Sequence, residues 1–328
     1  MPKAKAIRIR EPGGPEVLEV GEINVPQPGP SEVLVEVVAA GLNRADCLQR
    51  RGFYPAPPGV PADVPGLEFA GVVESVGGSV SSWKAGDRVM GIVGGGSMAT
   101  RVVTEGAELM PVPEELSLQD AAAVPEVFLT AYDAIVLQGG LRSGQSVLFH
   151  AVASGVGTAG IQLASVVGAT SIGTSRTADK LARCAQLGLN HPVLVEEGSF
   201  ADGVLEAAPK GVDVILDTIG AAYLAQNVKV IGKKGRIIVI GLMGGVKAEL
   251  ALGALLAKRA SIHGSVLRSR SPAEKAELTK SFTDEMLGRF SAGELKPIVD
   301  DIVPMTEVRA AHQRMDANDT FGKLVLNW

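Results

Sequence analysis

The chain has 328 residues, 46% apolar and 20% charged, enough for one large or two ordinary domains with substantial cores. Its formal net charge of −5 argues against nucleic acid or an anionic membrane as a partner, since both select a basic face. Two cysteines, Cys47 and Cys184, are too few for a disulfide framework or a four-cysteine zinc site, and no run of about 18 uncharged apolar residues occurs, so a cytoplasmic protein with reduced thiols is expected.

Along the chain, residues 3–104 carry short strand-like runs at 32–38, 71–76, 87–92 and 99–104. They are separated by turn-rich stretches such as PQPGPS (26–31) and GGSVSSWKAGD (77–87). The next region alternates strand and helix. Strands are expected at 146–151, 170–174, 192–195, 212–217, 235–240 and 261–264. Helices are expected at 157–167, 178–187, 200–208, 222–230 and 250–257. Six strands in such a βαβ series predict an α/β domain with a doubly wound parallel sheet. Ser271, Pro272 and Glu274 then form the capping box of a helix running to about residue 291. The chain ends in a strand at 323–326, expected to return to the N-terminal β region. The domain assignment is therefore 1–126, 127–266 and a return segment 267–328.

The first expected strand of the middle region runs into Gly155-x-Gly157-x-x-Gly160 and then a helical stretch. The first glycine permits a tight turn, the second lets backbone approach a pyrophosphate, and the third lets helix and strand pack closely. Ser154, Gly155, Val156 and Gly157 thus face the phosphates of a dinucleotide from a helix N-terminus. About 20 residues on, where an NAD enzyme carries an acidic residue for the ribose hydroxyls, stand Ser175 and Arg176, with Lys180 one helical turn further. Asp179 lies past the strand end, where an acidic side chain stabilises a first helical turn. Donors and positive charge suit a 2′-phosphate, so NADPH is the expected cofactor.

Several motifs together resemble one family. They are AGLNRAD (40–46) followed by RRGFYP, PGLEFAGVVESVG (65–77), WKAGDRVMG (83–91), AAAVPEVFLTAY (121–132), the dinucleotide loop, VDVILDTIGA (212–221), IGLMGG (240–245), LRSRSP (267–272) and GKLVL (322–326). The resemblance is to the zinc-free, ζ-crystallin-like quinone oxidoreductases of the medium-chain dehydrogenase/reductase superfamily, in the branch of the tumour-suppressor-inducible type. It implies a GroES-like, partly open β-barrel catalytic domain beside a Rossmann domain, with NADPH in the cleft between them. It also places Asn43 beside the nicotinamide ribose, Tyr54 over the nicotinamide and Thr130 at its carboxamide. These three are the expected catalytic set, and Leu242, Met243 and Leu267 complete the cofactor set.

The zinc enzymes of the superfamily carry Cys where this chain has Asn43, and Gly-His-Glu where it has Gly66-Leu67-Glu68. A catalytic zinc takes three protein ligands; Leu67 cannot coordinate, so no metal is expected. Two departures from the family pattern stand out: LGLNHPVLVEE carries Val195 where relatives often place a tyrosine, and Met98 replaces an aromatic residue. The activity implied is hydride transfer to a quinone. An enoyl or alkenal reductase with Tyr54 as proton donor uses the same residues, and a non-catalytic NADPH-binding protein is the alternative of another class. A two-fold homodimer is expected through the strand 261–264, flanked by the apolar stretch 250–257.

Overall fold

The computed structural model describes residues 3–328 and divides into two compact units, one of residues 3–129 with 267–328 and one of residues 130–266. The spine of the first unit is the 11-residue strand Glu32–Leu42. Val33, Val35 and Val37 point into a core with Phe69, Val73, Val89 and Val102, while Glu36 faces water, as the two-residue period of a strand requires. One edge of this strand is long enough for two partners. Arg101–Glu105 pairs with its first half and Lys323–Asn327 with its last four residues. Glu68–Val76 takes the other edge, followed by Arg88–Ile92 and Leu109–Pro111. The C-terminal strand also carries Val299–Pro304 in parallel.

Several elements of this unit are additional to those expected, among them a hairpin and two short helices. The hairpin of Lys3–Ile9 and Leu18–Asn24 alternates correctly, but Ala4 and Ala6 supply part of its buried face and give a weak apolar signal. The helices Arg44–Arg50 and Val308–Asp316 span only seven and nine residues, too few to display a helical period. Farther along, Ser271 Oγ accepts from the Glu274 amide at 3.3 Å, and Glu274 Oε2 accepts from the Ser271 amide at 2.9 Å. This capping box opens the helix Pro272–Phe282, which continues through five π-helical residues, Thr283–Leu287, to Gly288–Ser291.

The second unit is a parallel sheet in the order His191–Leu194, Thr170–Ser175, Ser146–Phe149, Val212–Asp217, Ile231–Val239, Ser261–Gly264. In chain order within the unit this is 3-2-1-4-5-6, the doubly wound Rossmann arrangement. Its strand order reverses between Ser146–Phe149 and Val212–Asp217, where such sheets bind their ligands. Two boundaries differ from expectation. The first strand stops at Phe149, because Ala151 adopts a left-handed φ of 48° and turns the chain toward the helix. The fifth begins at Ile231 rather than 235; a register shift against Val212–Val214 and a left-handed Lys234 absorb the Lys-Lys-Gly turn within it.

Candidate active site

Asn43, at the end of the spine strand, belongs to a buried polar cluster. Its Oδ1 accepts from Lys323 Nζ at 2.6 Å, and its Nδ2 donates to Glu68 Oε1 at 2.9 Å and to the Gly41 carbonyl at 3.3 Å. Lys323 also reaches Glu68 Oε1 at 2.6 Å and the Leu42 carbonyl at 2.7 Å, so all three ammonium donors are engaged. The second oxygen of Glu68 accepts the Glu126 amide at 2.8 Å. Gly41 is obligatory here, since a Cβ on it would lie 2.2 Å from Glu68 Oε1 and 2.6 Å from the Ala122 carbonyl.

This bonding limits what Asn43 can do. Both of its N–H groups are used, so it has no donor left for an oxyanion. A catalytic zinc does not fit either. Leu67 is 2% exposed and packed, and Glu68 already holds an ammonium, a side-chain amide and a backbone N–H. Among the described residues no group of three or more His, Cys, Asp or Glu side chains is placed to hold a metal ion.

Around this cluster burial raises the pKa of three acidic side chains, two of which stay protonated at neutral pH. Burial, reinforced by the Glu68 carboxylate, pushes the Glu126 carboxyl up to about 8, so it is protonated at neutral pH. Burial also raises Asp46, to about 6, against the amides of Asn43 and Gly66 that donate to it at 2.8 and 2.9 Å. Burial raises the half-buried Tyr54 phenol above its usual range, opposed by the nearby Arg268 guanidinium, so Tyr54 too is protonated. Sequence reasoning missed Glu126, Arg268 and Lys323; a charged residue inside an apolar run (AVPEVF, GKLVL) is the signal that could have found them.

One arrangement looks reactive and is not. Cys47 Sγ lies 3.5 Å from His312 Nδ1, which also receives Arg50 at 3.0 Å. Burial and that guanidinium push His312 down to about 3, while burial and the Asp316 and Asp46 carboxylates push Cys47 up to about 12. Neither member can form a thiolate–imidazole pair at neutral pH.

In the second unit the glycine motif opens the helix Gly155–Val167, with Ser154 Oγ capping the Gly157 amide at 3.2 Å. The amides of Gly155 and Val156 belong to the same first turn, whose N–H groups a phosphate can satisfy. The roles of the glycines differ slightly from expectation. A Cβ on Gly157 would sit 2.3 Å from the Val152 carbonyl, so the turn itself demands this glycine; one on Gly160 would sit 2.4 Å from the Phe149 ring, the close packing of helix on strand.

Beneath that turn His150 is fully buried, sharing hydrogen bonds with Thr174 Oγ1 at 2.9 Å and Asn227 Oδ1 at 2.7 Å. Asn227 Nδ2 donates to Asp217 Oδ2 at 3.0 Å, and Asp217 Oδ1 accepts the Ile219 and Gly220 amides at 2.7 and 3.0 Å. The network ties together the loops after the first and fourth strands, which flank the switch point.

Ser175 ends the second strand, Arg176 is exposed just beyond it, and Lys180 is half-buried on the helix Ala178–Gln186. This donor set fits a nicotinamide dinucleotide carrying a 2′-phosphate. Leu242 and Met243 are about half exposed in the loop after the fifth strand, and Thr130 lies in the helix Pro125–Tyr132. Asn43, Tyr54 and Leu267 belong to the first unit, and the other expected site residues to the second. Charge-assisted bonds to phosphate are worth roughly 1.5–3 kcal/mol each. Lys180→Ala should therefore weaken NADPH binding by roughly 10- to 100-fold and leave NADH nearly unchanged. Fluorescence titration with both cofactors checks this; equal losses would make Lys180 structural.

Comparison with known proteins gives the same picture. Residues 29–114 match the alcohol dehydrogenase GroES-like domain, and residues 155–283 the zinc-binding dehydrogenase domain. The quinone oxidoreductase of Rattus norvegicus is 32% identical over 327 residues, covering 98% of this chain and 97% of the relative. The chain belongs to the quinone oxidoreductase branch of the medium-chain dehydrogenase/reductase superfamily. The synaptic vesicle membrane protein VAT-1 homolog of the same species is also 32% identical, over 92% of this chain and 78% of the relative.

Among solved structures, Escherichia coli quinone oxidoreductase complexed with NADPH superposes with a TM-score of 0.89 at 27% identity, covering 99% of this chain and 100% of that one. The CurK enoyl reductase gives 0.87 at 28% identity, covering 99% of each. This branch member is thus an oxidoreductase with a GroES-like and a Rossmann unit. One matched domain is named for zinc; in this chain the Glu68 carboxylate is bonded by Lys323 and Asn43.

Proposed function

We propose that this protein uses NADPH to reduce a quinone by hydride transfer, without a catalytic metal. The observation that carries the reading is the Lys323–Glu68–Asn43 cluster. A fixed ammonium, rather than an exchangeable metal, neutralises the carboxylate the zinc enzymes share, and the proton donors nearby are the neutral Tyr54 and Glu126. The reduced nicotinamide supplies the hydride when bound. Ser154, Gly155, Val156 and Gly157 seat the pyrophosphate, Ser175, Arg176 and Lys180 the 2′-phosphate, and Leu242, Met243 and Thr130 the nicotinamide end. Much of the catalysis is positioning and exclusion of water. The quinone assignment follows the relatives of that name; the likeness to the CurK enoyl reductase supports a second reading, reduction of an activated double bond.

A panel of ortho-quinones, para-quinones and 2-alkenals with NADPH separates these readings, and Tyr54→Phe sharpens it. A quinone accepts hydride to give a stabilised oxyanion that water can protonate, so Tyr54→Phe should keep most of its turnover. A developing carbanion or enolate needs a placed acid, worth about 10²–10⁴-fold. Turnover of alkenals alone would contradict the quinone reading; a loss beyond about 100-fold in kcat on the best quinone, with NADPH affinity unchanged, would make Tyr54 a proton donor and overturn the mild role given to it. Tight NADPH binding with no turnover of any acceptor would contradict enzymatic activity itself.

We also propose a two-fold homodimer. Ser261–Gly264 is the last strand of the Rossmann sheet, and the helix before it, Leu252–Lys258, exposes Leu252 and Leu256 by 66% and 77%. An open edge beside apolar side chains is a template for a second copy. Light scattering at micromolar concentration should give twice the 33.9 kDa of one chain; a mass near 33.9 kDa would refute the dimer.

A further inference from the structure

We infer that Arg268 is a positioning residue for Tyr54, holding the phenol ring where the acceptor binds. The role rests on the reading of Tyr54 as the residue over the nicotinamide that faces the acceptor. Arg268 lies in the first turns of the return segment and is only 6% exposed. Its guanidinium bonds three separate pieces of the same unit. Nε donates to the Gly94 carbonyl at 2.6 Å, Nη2 to Gln49 Oε1 at 2.6 Å, and Nη1 to the carbonyl of Tyr54 itself at 2.9 Å. The same planar group also lies 4.9 Å from the centre of the Tyr54 ring. One cation therefore grips residue 54 twice, by its backbone and by its ring face.

The surroundings show why this grip matters. Tyr54 sits on a loop of prolines and turns after the helix Arg44–Arg50, and its neighbour Phe53 is 77% exposed. No strand or helix fixes the ring, so its position depends on side-chain contacts. Gly95, at φ 155°, keeps the guanidinium's slot open; a Cβ there would lie 3.2 Å from Nη2 and 2.8 Å from Val60. A lysine could reach one of these acceptors but cannot bond three in a plane and stack as well.

The test uses the full-length protein labelled with 3-fluorotyrosine. The chain has three tyrosines, so three fluorine resonances are expected, and Tyr54→Phe identifies the relevant line. Arg268→Lys should move that line toward the position of free fluorotyrosine. It should also lower kcat/KM for the best quinone by roughly tenfold, the scale of a partly desolvated cation–π contact. NADPH affinity should fall far less than kcat/KM, since Arg268 bonds none of the residues assigned to the pyrophosphate and the 2′-phosphate. If Arg268→Lys fails to fold, Gln49→Met, which removes one anchor of the guanidinium, decides by the same two readouts. A Tyr54 line that does not move overturns the inference whatever the turnover. A moved line with unchanged kcat/KM also overturns it; if Tyr54→Leu is then equally active, the fault lies in placing Tyr54 at the acceptor.

Discussion

Lys323→Met should lower the stability of the first unit by about 3–5 kcal/mol, the cost of stranding one partner of a buried ion pair. Lys323 and Glu68 are 3% and 0% exposed, and the ammonium makes the bonds that orient Asn43 and the end of the spine strand. Methionine fills a similar volume, so the loss reports charge rather than packing. The double variant Lys323→Met/Glu68→Gln should recover part of it, because an amide can still accept from Asn43 or the Glu126 amide without an unpaired charge. Calorimetry should show the melting temperature of the single variant falling by roughly 10 °C. A fall equivalent to less than about 1 kcal/mol would mean that water reaches the pair and that it is no fixed element of the site.

Gly157→Ala should cost roughly 100-fold in NADPH affinity while leaving the Rossmann unit folded. The added Cβ would stand 2.3 Å from the Val152 carbonyl and 2.6 Å from its carbonyl carbon, which are backbone atoms that no rotamer change can move aside. Relief requires the start of the helix Gly155–Val167 to shift by nearly an ångström. That shift turns the first-turn N–H groups away from the pyrophosphate, since their alignment is the binding determinant. Fluorescence titration with NADPH, alongside circular dichroism to show an intact fold, checks this. An unchanged dissociation constant would remove the helix N-terminus from the cofactor site.

The Rossmann sheet is legible in the sequence because its strands are short and each of the first five is followed by a helical stretch. Its strand boundaries are less so. The end at Phe149 depends on a left-handed Ala151, and the early start at Ile231 on a left-handed Lys234, conformations that composition does not announce. Asn43 and Tyr54 in the first unit and Thr130 in the second could be picked from motifs, but what Asn43 can do could not. Its partners Glu68 and Lys323 lie 25 and 280 residues away in sequence. The same distance hides Arg268, 214 residues from the tyrosine it grips. Charges that meet only through tertiary pairing leave no periodic trace, and the one mark they leave is a polar residue in an apolar run.

The central claim is metal-independent hydride transfer from NADPH to a quinone. Its most direct test is single-turnover NADPH oxidation by an ortho-quinone, using protein dialysed against a strong chelator and shown by elemental analysis to lack zinc. The account predicts full activity and a primary kinetic isotope effect with deuterium on one face only of the nicotinamide C4. Activity that disappears with the chelator and returns with added zinc, or oxidation with no isotope effect from either face, would contradict it.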